Sequence, residues 1–288
     1  MLRSAIVTVV FAALSSVALA QPAPVSRSVV SHGATIRSTD LPAAADAPAL
    51  EPLVFVHGWG GSRGLFREAM AAFGGERRTL AIDLPGHGES EDVDESHTMD
   101  LYAEVIAAAM DEAGIERAVL IGHSNGVAAV RQFERRYGAR CAAMVAVDGS
   151  LTNQISREQM GMVLQQLGSN EAAQVVDAFA SAMTQRMRDE DEARQVRDTM
   201  VFTPPAVLAK SLRAMAEDAI WTPDPITPPL LLVLAQQPTW DEAYFEAVRA
   251  MAPKAVVRIW PGASHFLFMD DPSRFARVIR AFLDDEGL

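Results

Sequence analysis

The chain has 288 residues, of which 49% are hydrophobic, 22% charged and 7% aromatic. That mix excludes a disordered or collagen-like chain and leaves apolar residues for a sizeable core. A net charge of −12 argues against nucleic acid as a main partner, and the lone Cys141 excludes an internal disulfide and a Cys-based zinc site.

Residues 1–20 read as an export signal. Arg3 supplies a short positive start, Ala5 to Leu19 form an apolar run, and Ala18-Leu19-Ala20 is a small-x-small cleavage pattern before Gln21-Pro22. The run is short for a membrane span of about 20 residues, so no stable membrane anchor is expected after cleavage. Cleavage after Ala20 removes Arg3 alone among the charged residues, which moves the net charge from −12 to −13. The expectation is an exported protein, periplasmic or secreted.

Ser28 to Arg37, broken at Gly33, reads as a strand hairpin, and Pro42 to Pro52 as an Ala/Pro-rich connection. Leu53-Val54-Phe55-Val56 is a continuous apolar run, the mark of a strand buried on both faces. Strand-like and helix-like runs then alternate: helix over 65–73, strand over 78–82, helix over 99–113, strand over 118–121, helix over 125–137 and strand over 142–147. After a gap the alternation resumes with a strand over 230–234, a helix over 241–251, a strand over 256–260 and a helix over 272–283. Such alternation predicts an α/β fold, a mostly parallel sheet flanked by helices.

The gap, residues 151–221, reads as helices only: 157–167, 171–187, 191–200 and 205–217. It sits where α/β folds place a lid over the crevice at the carboxyl ends of the strands. The expected organisation is a core of residues 21–150 and 222–288 with an inserted helical cap of residues 151–221.

Gly122-His123-Ser124-Asn125-Gly126 carries the strongest chemical signal. It follows a buried strand and opens a helix, the context in which G-x-S-x-G presents a nucleophilic serine on a sharp turn. The glycines leave room for neighbouring backbone, and the helix N-terminus aims amide N–H groups at an oxyanion formed beside Ser124.

With three further motifs in order, the chain resembles the α/β-hydrolase-fold family. His57-Gly58-Trp59-Gly60-Gly61 resembles its oxyanion loop, Asp83-Leu84-Pro85-Gly86-His87-Gly88-Glu89-Ser90 its next strand-end turn, and Gly262-Ala263-Ser264-His265-Phe266 the segment holding its catalytic histidine. The resemblance covers residues 53–288, with the helical insertion at the family's cap position. It implies Ser124 as nucleophile, His265 as base, and the backbone N–H groups of Trp59 and Asn125 as the oxyanion hole.

Of the other histidines, His57 and His87 lie in glycine-rich turns and read as structural. His123 reads as packed or hydrogen-bonded, and His32 and His97 as surface residues. The orienting acid departs from the family's commonest pattern, because Ala235-Gln236-Gln237-Pro238 offers no carboxylate after the 230–234 strand. Asp148, ending the 142–147 strand, is preferred because strand ends converge on the crevice and some members of the fold use that position. Asp241 is the alternative, although Thr239 to Glu242 reads as a capping box around it. Asp83 reads as a structural strand-end carboxylate. Met160, Met162 and Met183 are candidates for an acyl pocket under the cap.

No phosphate loop, metal cluster or dinucleotide fingerprint is present in the sequence, so neither metal nor cofactor is expected. The reading favoured is an exported serine hydrolase acting on an ester or related acyl bond of a small molecule with a small or medium apolar group. Carbon–carbon, lactone or amide hydrolysis by the same residues is one alternative, and a non-catalytic small-molecule-binding protein is another.

Overall fold

The computed structural model describes residues 22–73 and 75–288. The expected export signal and its cleavage point lie outside the described residues. Among the described residues, no helix is long and apolar enough to cross a membrane.

Eight strands form one sheet in the order β1-β2-β4-β3-β5-β6-β7-β8. They are β1 (Val25–Ser31), β2 (Ala34–Leu41), β3 (Leu53–Val56), β4 (Thr79–Ile82), β5 (Ala118–His123), β6 (Cys141–Val147), β7 (Leu230–Ala235) and β8 (Val256–Trp260). The first two are antiparallel and the other six run parallel. The hairpin is longer than its sequence pattern. It turns at His32-Gly33, both with positive φ (50° and 75°), a two-residue turn whose twist matches that of paired strands.

The core splits by strand parity. Val54, Val56, Leu80, Ile82, Leu120 and Ala146 face one way, onto α2 (Met99–Glu112) and α3 (Gly126–Tyr137). Leu53, Phe55, Ala81, Val119, Ile121 and Val145 face the other way, with α1 (Arg67–Ala71), α9 (Leu267–Asp270) and α10 (Pro272–Glu286) on that side. Residues buried on both faces explain why these strands read as unbroken apolar runs rather than alternating ones.

Between β6 and β7 lie four helices, α4 (Arg157–Leu167), α5 (Ala172–Thr184), α6 (Glu190–Phe202) and α7 (Pro205–Met215). A capping box at Ser156 starts α4 and the Asp189 carboxylate caps α6. The turn before α8 (Glu242–Met251) differs from expectation. Asp241 itself is the N-cap, accepting the Tyr244 N–H at 2.9 Å, so the cap lies two residues after the expected Thr239.

Candidate active site

Ser124 stands between the end of β5 and the start of α3, with φ of 52°. Left-handed backbone at a non-glycine residue costs about 1–3 kcal/mol and persists only where its surroundings hold it. Here they do. The Ser124 N–H donates to Val147 O at 2.9 Å, tying the turn to β6. A Cβ at position 122 would lie 2.5 Å from Gly126 O, and one at 126 would lie 2.4 Å from Val56 O. One at 58 would meet the Ser124 Cβ at 2.7 Å, so bare backbone is required all round the serine.

The next strand repeats the device. Asp148, directly after β6, has φ of 41°, and its N–H donates to Val233 O at 2.9 Å. Its carboxylate is divided between two donors. Oδ1 accepts the Ala235 N–H at 2.8 Å, and Oδ2 lies 2.7 Å from His265 Nδ1. Asp148 is buried and His265 partly exposed. Asp241 lies elsewhere, committed to capping α8. Of the two carboxylates open from sequence, the structure therefore brings Asp148 to His265.

His265 sits on a braced loop. The Ser264 N–H and hydroxyl both donate to Asp270 at the end of α9, and the Phe266 N–H donates to Ser264 Oγ. From beneath, His123 Nε2 donates to the His265 carbonyl at 2.9 Å, with the two rings 4.6 Å apart. Burial holds the His123 ring well below the usual histidine range, so it serves as a neutral donor. With Nδ1 on Asp148, the Nε2 edge of His265 remains for the small compartment that it lines together with Ser124.

The loop after β3 presents a second backbone feature. His57 is fully buried and uses both ring nitrogens: Nε2 accepts the Leu84 N–H at 3.0 Å, and Nδ1 donates to Gly58 O at 2.8 Å. Burial lowers its pKa to about 4, consistent with that neutral tautomer. Gly58 O also accepts the Gly61 N–H at 3.0 Å. The Gly58–Trp59 peptide is trans, so pinning its carbonyl on one side directs the Trp59 N–H to the other. Among the described residues, the backbone N–H groups of Trp59 and Asn125 have no acceptor within the protein. Two free amides thus flank Ser124.

Two compartments meet at the serine. The smaller, about 40 Å³, is lined by Leu65, Met183, Met200, His265 and Phe266. The larger, about 480 Å³, opens under α4, α5 and α7 and is lined by Met160, Val163, Leu212, Met215 and Trp221 among others. Ser124, Trp59 and Phe179 belong to both, and the Trp59 and Phe179 rings meet edge-on at 5.0 Å. Of the three methionines expected together, Met160 lines the large space and Met183 the small one. Met162 points to solvent at 52% exposure. Helical spacing alone could not distinguish them, because α4 presents only one face inward.

His97 also departs from expectation. It is buried, its Nε2 donating to Asp92 Oδ1 (2.8 Å) and its Nδ1 lying 2.9 Å from the Tyr102 hydroxyl, while Lys210 of α7 donates to the other Asp92 oxygen at 2.8 Å. The chain thereby ties the insertion to the core. Asp83 is buried among the Arg63 and Glu89 N–H groups and the Arg63 guanidinium, as a strand-end carboxylate should be. Among the described residues, no group of three His, Cys, Asp or Glu side chains is placed to hold a metal ion.

Residues 53–278 match the alpha/beta hydrolase family. The chain belongs to that family. It is 30% identical over 242 residues to the dihydrolipoyllysine-residue acetyltransferase component of the acetoin cleaving system of Pseudomonas putida, covering 81% of this chain and 63% of that one. The chain thus spans less than two thirds of that relative's length. Among solved structures it is similar to a thermophilic esterase from Thermogutta terrifontis, with a TM-score of 0.74 at 23% identity over 91% of this chain and 98% of that one. An esterase from a Rhodococcus species gives a TM-score of 0.75, also at 23% identity, over 90% and 98% of the two chains. In this alpha/beta hydrolase, Asp270 is the residue bracing the His265 loop that the sequence left without a role, whereas His123, read as packed or hydrogen-bonded, donates to the His265 carbonyl. The one legible signal for Asp270 was proximity to His265 in the chain, which says nothing of direction.

Proposed function

We propose that the protein is an exported serine hydrolase that cleaves an ester or related acyl bond of a small molecule. The observation that carries this reading is the Asp148–His265 pair at 2.7 Å, opening onto the compartment that holds Ser124. In this reading His265 Nε2 takes the proton of Ser124 Oγ as the oxygen attacks the carbonyl carbon. Asp148 holds the ring with Nδ1 protonated and stabilises the imidazolium. The free N–H groups of Trp59 and Asn125 receive the oxyanion, aided by the N-terminus of α3. His265 then gives its proton to the leaving oxygen, and water releases the acyl group by the same path in reverse. The esterases with which the chain shares its fold support a hydrolytic rather than a purely binding role.

Export is proposed from residues 1–20 alone, with cleavage after Ala20. Intact-mass measurement of protein secreted from an expressing cell tests that part: a mature start at Gln21 supports it, and a retained Met1 overturns it. For the chemistry, Ser124→Ala is expected to abolish hydrolysis of p-nitrophenyl esters and labelling by a fluorophosphonate, with the fold intact by circular dichroism. Retention of activity in that variant overturns the assignment.

A further inference from the structure

The two compartments at Ser124 differ more than tenfold in volume, about 40 against about 480 Å³. They also differ in which reacting group they hold. His265 lines the small one and is absent from the large one, whereas Asn125 lines the large one alone. This asymmetry gives each side of the scissile bond its place.

We propose that the small compartment receives the leaving alcohol and the large one an extended apolar acyl chain, so that the substrate class is medium- to long-chain acyl esters of very small alcohols. The inference rests on Ser124 and His265 acting as described above. When Ser124 Oγ bonds to the carbonyl carbon, its proton passes to His265. The C–O bond to the alcohol then breaks, and the departing oxygen takes that proton as it leaves as the free alcohol. Only a group lying against His265 can receive it, so the alcohol occupies the His265 side. Water then supplies a hydroxyl to the carbonyl carbon and a proton, through His265, to Ser124 Oγ, releasing the carboxylic acid.

Size fixes the rest. A site needs roughly 10–15 Å³ of such space per water-sized group, so 40 Å³ admits about three, the size of methanol or ethanol. Leu65, Met183, Met200 and Phe266 close it with apolar atoms. The large chamber, walled by Met160, Val163, Leu212, Met215 and Trp221, has room for an alkyl or arylalkyl chain. Trp59 and Phe179, edge to face at 5.0 Å, line both.

Two isomeric esters test the assignment. Methyl octanoate places its long chain on the acyl side, and heptyl acetate places it on the alcohol side. The expected kcat/KM favours methyl octanoate by at least about tenfold, since a few misplaced methylenes are worth that much in a closed apolar pocket. Met183→Ala is expected to raise the rate on butyl octanoate relative to methyl octanoate by about tenfold. Val163→Trp is expected to do the opposite kind of damage, lowering methyl octanoate about tenfold more than methyl butyrate. Equal rates on the isomers, or a preference for heptyl acetate, overturn the assignment. A protein whose Ser124 is labelled by a fluorophosphonate but which hydrolyses neither isomer also overturns it. Absence of labelling together with absence of hydrolysis instead removes the serine-hydrolase reading beneath it.

Discussion

Asp148 Oδ2 lies 2.7 Å from His265 Nδ1, while Oδ1 of the same carboxylate accepts the Ala235 N–H at 2.8 Å. The second bond fixes the first, since the carboxyl plane cannot rotate without losing the β7 backbone. Asp148→Asn keeps the shape but replaces one acceptor oxygen by a donor, so His265 loses its defined tautomer. The expected result is a fall in kcat of roughly 10³–10⁴-fold on a p-nitrophenyl ester with the fold retained. Asp241→Ala is expected to leave kcat in place and lower stability by about 1 kcal/mol, through loss of the cap on α8. The opposite pattern in the two variants would exchange their roles.

His57 gives a second expectation. Its Nδ1–H and the Gly61 N–H hold the Gly58 carbonyl, and that peptide carries the free N–H of Trp59. His57→Leu fills similar space without a donor. The peptide is then held by one bond instead of two, and kcat is expected to fall about 10–100-fold, less than the loss of an oxyanion donor itself. KM on the same ester is expected to stay within a few-fold, because ground-state contacts are untouched. A large rise in KM with kcat preserved would show that His57 acts on binding rather than on the charge that develops in the transition state.

The alternation of apolar runs and helical spacing was enough to read β3 to β7, because strands buried on both faces leave continuous runs. Ser124 was legible because G-x-S-x-G encodes a backbone turn, and a Cβ at either of its glycines would lie 2.4–2.5 Å from backbone oxygen. The choice between Asp148 and Asp241 was only half legible. Strand order, which places β6 beside β5, is a property of the sheet and not of any local run. His97 escaped entirely. Its burial depends on Tyr102 one helical turn into α2 and on Lys210 from α7, more than a hundred residues away.

Buried neutral histidines give the stability a pH dependence of definite sign. Burial lowers His57 to about 4 and His87 to about 3, from an ordinary 6.5. Above pH 6.5 neither the folded nor the unfolded state binds these protons, and they add no slope. Below it the unfolded chain binds protons that the folded chain refuses, so stability falls as pH falls. Each such histidine contributes up to about 1.4 kcal/mol per pH unit until its folded value is reached. Melting temperature is expected to drop between pH 7 and pH 5. His87→Asn, which removes one titrating ring, is expected to show a shallower drop. Parallel slopes in the two proteins would mean that His87 is protonated in the fold after all.

Gly149 is the least forgiving position beside the site. A Cβ there would lie 2.3 Å from Ser124 O and 2.6 Å from Val127 Cγ2. The first of these is backbone, so no side-chain rotation relieves it. Gly149→Ala must push the Ser124 turn away from Asp148 or strain both turns, each already held at positive φ. The expected outcome is a loss of about 1–3 kcal/mol in stability together with a fall in kcat, measured by thermal melts and ester hydrolysis. Gly161 is the control. It lies within α4 with nothing inside 4 Å of its would-be Cβ. Gly161→Ala is expected to stabilise by up to about 1 kcal/mol, since alanine loses less backbone freedom in a helix. Its kcat is expected to match the parent. If Gly149→Ala also keeps the parent's kcat, the turn after β6 does not set the position of Ser124, and the close fit of the two strand ends has another purpose.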